Sequence, residues 1–444
     1  MKKFLYYLFI FSSLSILGLN NLFAQNPLIL DQFTADPSAR VFEGKVYVYP
    51  SHDVKSKTNW FCMKDYHVFS SENLTDWTDH GVIISQEKVP WVDSTFNSLW
   101  APDRIERNGK YYFYFPAIAR NQPFRRGMTI GVAISDKPYG PFKPESKPID
   151  GVFGIDPNPF IDKDGQAYLT WAARHHLFIA KLKKNMLELA SEPQTIEGLP
   201  EGFKEGPYLF ERKGIYYLSF PYVIKKTETL AYAMGDNPMG PFTYKGVIMD
   251  ESPTGCWTNH QSIIEYKGQW ILFYHHNDLS PKFDKNRSIR ADSLFFNEDG
   301  IIRKVIPTLR GVGLTNATRK IQIDRYSAIS QKGASIDFLD KRNTFQGWKT
   351  NLKKKNAWIK YNSVDFGKTN LKSVKVKAAS KSGGTIELRI DEKNGPVIAR
   401  IDIPKNKDWS LVTTASGKIP SGIHNLIAVL SKGKTVEIDW IQFE

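Results

Sequence analysis

Five stretches of the chain repeat one hydrophobic pattern. They are EGKVYVYP (43–50), NGKYYFYF (108–115), DGQAYLTW (164–171), KGIYYLSF (213–220) and KGQWILFY (267–274). Each opens on a turn glycine and continues as alternating aromatic and aliphatic residues, the pattern of a strand. The glycines are Gly44, Gly109, Gly165, Gly214 and Gly268, spaced by 65, 56, 49 and 54 residues. Apolar positions at helical spacing are almost absent. Smaller echoes support the repeat: SDKPYGPF (135–142) returns as GDNPMGPF (235–242), and SENLTDW (71–77) plays a similar part earlier. Repeats of this length arranged radially predict a five-bladed β-propeller over residues 27–314. A long β-sandwich or β-helix is the rival, but it gives no reason for what stands at one phase of the repeat.

Past Pro307 the pattern changes. Residues 315–331 read as a connector. Short alternating strands are then expected at 358–367, 373–379, 384–391, 397–403, 422–431 and 436–443, a β-sandwich of jelly-roll type over 332–444. The fold class is therefore all-β, a propeller followed by a sandwich. A chain of 444 residues is long enough for two such cores.

Residues 1–24 read as a signal peptide: Lys2 and Lys3, an apolar run over 4–19, and Leu22-Phe23-Ala24 before Gln25. The run is shorter than the ~20 residues of a membrane span. The expectation is export, to a periplasmic or extracellular location. Two cysteines, Cys62 and Cys256, make no disulfide framework. A pairing requires the first and fifth repeats to be neighbours in a ring; free thiols are the alternative. The net charge of +14 is uneven: residues 315–444 hold 24 Lys/Arg against 12 Asp/Glu. A basic tail on an exported protein suits a solvated surface or an acidic polysaccharide, not nucleic acid.

Eight or nine residues before the repeat glycines stand Asp36, Trp100-Ala101, Asp156, Glu205 and His260. A radial repeat aims all of them at one axis. Each carboxylate meets a proline at once or after one glycine, as in Asp36-Pro37, Asp156-Pro157 and Glu205-Gly206-Pro207, which restricts the chain at a strand entrance. Three converging carboxylates suit hydrolysis of a glycosidic bond. One donates a proton to the leaving oxygen, another acts on water or sugar, and a third keeps the acid protonated by repulsion. A hard-cation site usually shows acids closely spaced in one loop, which is not seen here.

Six ordered motifs then resemble glycoside hydrolase family 43. They are TADPSARVFEGKVYVYPSHD (34–53), LWAPD (99–103), IDPNPFIDKDG (155–165), KEGPYLFERKGIYYLSF (204–220), TNHQSIIEYKGQW (258–270) and NRSIRADSLFFNEDG (286–300). The resemblance implies an inverting exo-glycosidase that removes terminal α-L-arabinofuranosyl or β-D-xylosyl residues from xylan- or arabinan-type polysaccharide. It implies Asp36 as general base, Glu205 as general acid and Asp156 as the residue tuning that acid. It places Trp100 and Arg287 in the sugar pocket, and His260 near the axis, where it holds a water or a cation such as Ca2+. No cofactor is required for the chemistry. Two other readings stand beside it: a non-catalytic glycan-binding propeller, and a retaining fructan-type hydrolase.

The tail resembles a family 6 carbohydrate-binding module through WIKYNSVDFG (358–367), GGTIELRID (383–391) and IDWIQFE (438–444). Its cleft departs from that pattern: Asn351-Leu352-Lys353-Lys354-Lys355 stands where an aromatic is expected. Trp409 is the remaining candidate platform, and a purely buttressing module is the alternative.

Overall fold

The computed structural model describes residues 26–120, 122, 127–202, 205–322, 326–342, 348–368 and 371–444. The expected leader lies outside the described residues. Five sheets come first. Blade one holds Phe33–Phe42, Lys45–Asp53, Met63–Ser71 and Thr78–Ser85; blade two holds Asp103–Arg107, Lys110–Ile118, Met128–Ser135 and Lys143–Pro144. Blade three holds Ile155–Ile161, Ala167–Ala173, His176–Leu182 and Gln194–Thr195; blade four holds Tyr208–Arg212, Ile215–Val223, Glu228–Gly235 and Thr243–Met249. Blade five has three described strands, Ser262–Tyr266, Gln269–His276 and Ser288–Leu294. Within each blade the strands pair antiparallel in chain order. The first strands of successive blades touch one another, and that of blade five returns to blade one, so they line a closed axis. The protein is a five-bladed propeller followed by a β-sandwich.

The repeat strands are apolar on both faces because each blade is covered on both sides. Tyr111, Phe113 and Phe115 pack with Tyr47, Tyr49 and Tyr66 of blade one. The alternate Tyr112 and Tyr114 pack with Leu169 and Trp171 of blade three. Full burial of an aromatic of this size stabilises by ~1.5–3 kcal/mol, so the seams between blades hold the ring.

The ring closes without a disulfide. Cys62 and Cys256 are free thiols. Closure comes from the segment preceding blade one. The fully buried Asn26 donates to the carbonyls of Ala291 at 3.0 Å and Thr308 at 2.8 Å, and accepts from the Ala291 N–H at 2.9 Å. Leu28 N–H bonds the Ile289 carbonyl at 2.9 Å.

Below the axial mouth Asp103 joins three blades. It accepts from Ser38 Oγ and the Arg40 guanidinium of blade one, from its neighbour Arg104 N–H at 2.7 Å, and from Asn158 Nδ2 of blade three at 2.6 Å. Asn158 in turn accepts from the Leu209 N–H of blade four at 2.8 Å.

In the second domain two sheets enclose one core that includes Ile359, Tyr361, Val376, Leu388, Leu426 and Ile441. The six expected strands are present, and Ala334–Phe338, Trp348–Leu352 and Asn406–Ala415 are additional. The last of these carries no buried residue, so hydrophobic pattern had nothing to register. The connector is docked rather than loose: Thr315–Asn316 pairs with one sheet and Ile321–Gln322 with the other.

Asp103→Ala should destabilise the protein by ~3–5 kcal/mol, because it leaves the Arg40 guanidinium without its counter-charge. Urea denaturation followed by tryptophan fluorescence measures this; a midpoint equal to wild type would contradict the role of Asp103.

Candidate active site

Two of the carboxylates owe their aim to an unusual backbone. Asp36 and Asp156 both have positive φ, 46° and 57°, immediately before a proline. The left-handed region is uncommon for any residue with a side chain, although Asp tolerates it better than most. A following proline normally pushes its neighbour toward an extended conformation. Each site coincides with a break in strand register, between Ala35 and Ser38 in blade one and opposite Thr170–Ala172 in blade three. Such a bulge re-aims a side chain. In blade four the left-handed residue before proline is Gly206, φ 67°, and Glu205 precedes it. A Cβ on Gly206 would lie 2.7 Å from the Pro221 ring and 3.2 Å from His260 Nδ1, so only glycine fits.

Asp36 is buried beside Arg287, which donates to its two oxygens at 2.8 and 3.2 Å. Ser51 Oγ donates a third bond at 2.7 Å. Burial alone would raise the Asp36 carboxyl, but the Arg287 guanidinium, with His275, His260 and Ser51, holds it below the ordinary value. Arg287 also donates to Asp53, from Nε at 2.9 Å, Nη2 at 2.9 Å and its backbone N–H at 2.8 Å. Burial, only partly offset by Arg287, pushes Asp53 up. One guanidinium cannot compensate two enclosed carboxylates equally, and Asp36 has the additional donors.

Asp156 goes the other way. Burial and the charges of Glu205 and Asp36 push its carboxyl well up, against one N–H bond from Gly206 at 2.9 Å. That bond also fixes the Glu205-Gly206 peptide, and the carbonyl of Gly206 itself accepts from Gln261 Nε2 at 2.9 Å. Glu205 itself is half-buried. A fifth carboxylate of the cluster, Glu228, was missed by sequence reasoning. It is buried, accepts from the Asn259 N–H at 2.7 Å, and is raised well up by burial and then by Glu205, Asp156 and Asp36. A lone Glu opening the pattern ETLAYAMG carries no mark that separates it from a solvated strand end.

His260 lies partly exposed at the axis, held low by burial while Asp36 opposes the shift. Among the described residues it belongs to no group of three metal donors. His275 is buried beneath: its Nδ1 accepts from the Asp36 N–H at 3.1 Å and its Nε2 donates to the Thr258 carbonyl at 3.0 Å. Burial and Arg287 bring it down to about 3, so it stays neutral. Trp100 is half-exposed, with its carbonyl accepting from Tyr66 Oη at 2.6 Å. Phe61, also missed, lies over the Arg287 guanidinium at 4.8 Å.

Carboxylates with opposed proton affinities at the mouth of a five-bladed propeller define a glycosidase. The chain belongs to glycosyl hydrolase family 43: the sequence model of that family matches residues 24–302. A second one, carbohydrate binding module family 6, matches 328–444. Among characterised relatives, a xylosidase/arabinosidase 43A from Humicola insolens is 39% identical over 62% of this chain and 98% of its own. A family 43 β-xylosidase/α-arabinofuranosidase from a compost microbial metagenome, solved with xylotriose in a calcium-free form, superposes with TM-score 0.58. It is 37% identical and covers 64% of this chain and 98% of that one. An arabinoxylan arabinofuranohydrolase from Bacillus subtilis, solved with cellotetraose, aligns over 94% of this chain and 97% of its own at 25% identity and TM-score 0.56.

Glu228→Gln should change the pH dependence of stability. The folded protein holds the Glu228 proton more tightly than the unfolded chain, so stability is full below the unfolded value, 4.5, and is lost as pH rises through the folded value. Glutamine keeps an acceptor for Asn259 and has no proton to lose. Thermal melts should show the variant gaining on wild type between pH 5 and pH 8; parallel curves would rule out this buried, proton-retaining carboxyl.

Proposed function

We propose that this protein is an exported, exo-acting, inverting glycosidase that removes terminal α-L-arabinofuranosyl or β-D-xylosyl residues from xylan- or arabinan-type glycans. The observation that carries the reading is the opposed tuning of the cluster: Arg287 holds the Asp36 carboxyl below its ordinary value, while burial and Glu205 push that of Asp156 up, so that Asp156 and Glu205 compete for one proton. Asp36 takes a proton from a water as that water attacks the anomeric carbon. Glu205 gives its proton to the departing glycosidic oxygen, and the new hydroxyl stands on the opposite face of the sugar. Asp156 orients the Glu205-Gly206 peptide and resists a second negative charge beside the acid. Trp100 and Phe61 offer apolar faces for the sugar ring; Arg287, expected to meet sugar hydroxyls, instead spends its N–H groups on Asp36, Asp53 and Thr258 and serves the pocket by holding Asp36.

A cation near the axis would meet His260 with water as its remaining ligands; no step depends on it. The substrate assignment draws on the names of the relatives, and export on the pattern of residues 1–24. The tail is a glycan-binding or buttressing module in which Trp409, half-exposed with Lys377 Nζ 5.9 Å from its ring centroid, is the candidate platform.

Asp36→Asn and Glu205→Gln should each reduce hydrolysis of aryl xylosides or arabinofuranosides by about 10²–10⁴-fold or more. The Glu205 variant should recover on substrates with acidic leaving groups, which need little protonation. Near-wild-type turnover by either purified variant would remove it from the mechanism. Proton NMR of the first product should show inverted anomeric configuration, expected when the two carboxyls stand roughly 6.5–9.5 Å apart.

Arg287→Met should move the acid limb of the rate profile to higher pH, because losing the guanidinium lets Asp36 protonate earlier. Asp156→Asn should move the alkaline limb to lower pH, because the acid loses a repelling neighbour. Unmoved limbs would contradict the assigned couplings.

A further inference from the structure

Blade one carries a second cluster of ionisable side chains that the hydrolytic mechanism does not use. His52, at the end of the second strand, and Asp65 and His67, on the third, bring one ligand atom each to within 4.8 Å of one another. Asp65 and His67 are two residues apart on a strand and so share a face. His52 Nδ1 is 2.6 Å from Asp65 Oδ1, and His67 Nε2 is 3.8 Å from the same oxygen. The two imidazoles meet edge to face, 4.8 Å between centroids. The three side chains are 14–22% exposed, enclosed enough to be fixed and open enough to be reached.

His67 has a further partner. Its Nδ1 lies 3.1 Å from Asp79 Oδ1, and the other Asp79 oxygen accepts from Gln32 Nε2 at 3.0 Å. A neutral imidazole has one proton to give. Given to Asp79, it leaves the Nε2 lone pair facing His52 and Asp65. That is the carboxylate–histidine–metal relay by which proteins fix the tautomer of a ligating histidine. Two imidazole nitrogens and one carboxylate oxygen suit Zn2+ or Ni2+; Ca2+ and Mg2+ prefer oxygen donors.

We propose that His52, Asp65 and His67 bind one divalent transition-metal ion of the Zn2+ class, with water completing its coordination and Asp79 orienting His67. The ion replaces the His52–Asp65 hydrogen bond and cross-links the second and third strands of blade one. It thereby pins the strand end that carries Asp53, the carboxylate gripping Arg287. The site is distinct from His260 in both residues and donor chemistry.

The test titrates the chelator-stripped full chain with ZnCl2 by calorimetry. One Zn2+ per chain and a rise in melting temperature are expected for wild type, and equimolar Ca2+ should not compete. His52→Ala and His67→Ala should each weaken binding by at least about 100-fold. Asp79→Asn, which removes only an orienting partner, should weaken it about 10–100-fold. If an alanine variant melts low without metal, His67→Gln tests the same loss. An anomalous zinc signal between the three side chains in a soaked crystal would locate the ion. No Zn2+ binding by wild type at tens of micromolar, full binding by the His52→Ala/His67→Ala double variant, or a zinc signal only at His260 would each overturn the proposal. The cluster would then be a hydrogen-bonded chain of ion pairs and nothing more.

Discussion

Arg287 is shared between two buried carboxylates, and much of the molecule is arranged around that sharing. It stands at the start of the last strand described in blade five, while Asp36 and Asp53 belong to the first two strands of blade one. The contact that lowers the Asp36 carboxyl is therefore also a contact that closes the ring. Its charges are removed from water at a cost that only good geometry repays. Here five donor contacts from one arginine, 2.8–3.2 Å long, supply that geometry. The Thr34 N–H to Arg287 carbonyl bond at 3.0 Å ties the same two blades through backbone. Closure and tuning cannot be altered separately at this position.

The rest of the electrostatics follows from having more acids than cations in an enclosed space. Asp36 and Asp53 use the guanidinium. Asp156 and Glu228 receive one backbone N–H bond each, and the negative charges around them outweigh what Arg287 adds at Asp156. A cluster so arranged pulls the proton affinities of its members apart, down at Asp36 and up at Asp156 and Glu228. Position within the cluster decides which member does which, because the side-chain chemistry is nearly the same throughout.

Much of this was legible in the sequence, for a physical reason. Strands covered on both faces read as unbroken alternations of large apolar residues, and a ring of similar blades must place equivalent positions at one axis. The proline after each carboxylate marked the phase. Less legible were residues whose environment is made by other blades. Asp53 and Glu228 sit at strand ends that sequence alone cannot distinguish from solvated ones, and Asp103 was visible only as part of a motif. Phe61 lies in a stretch without periodicity. The fate of Cys62 and Cys256 was likewise open, since a ring that makes their blades neighbours does not bring their sulfurs together. The polar edge strand Asn406–Ala415 could be found only by its partner, Ser373–Ser380.

The one-residue offset in blade four has a mechanical consequence. Asp36 projects from within a strand and is restrained through both its oxygens and its own N–H. Glu205 hangs upstream of a glycine, outside the strand, with a side chain one methylene longer. The two jaws of the cleft therefore take their positions from different seams of the ring: Asp36 from Arg287 of blade five, and Glu205 through the Gly206 N–H held by Asp156 of blade three. On the hydrolytic reading, the first jaw faces a water, which never varies, and the second faces whatever the sugar was attached to. Accommodation of a new aglycone would then be worked out at the seam between blades three and four, leaving the seam that sets the base untouched.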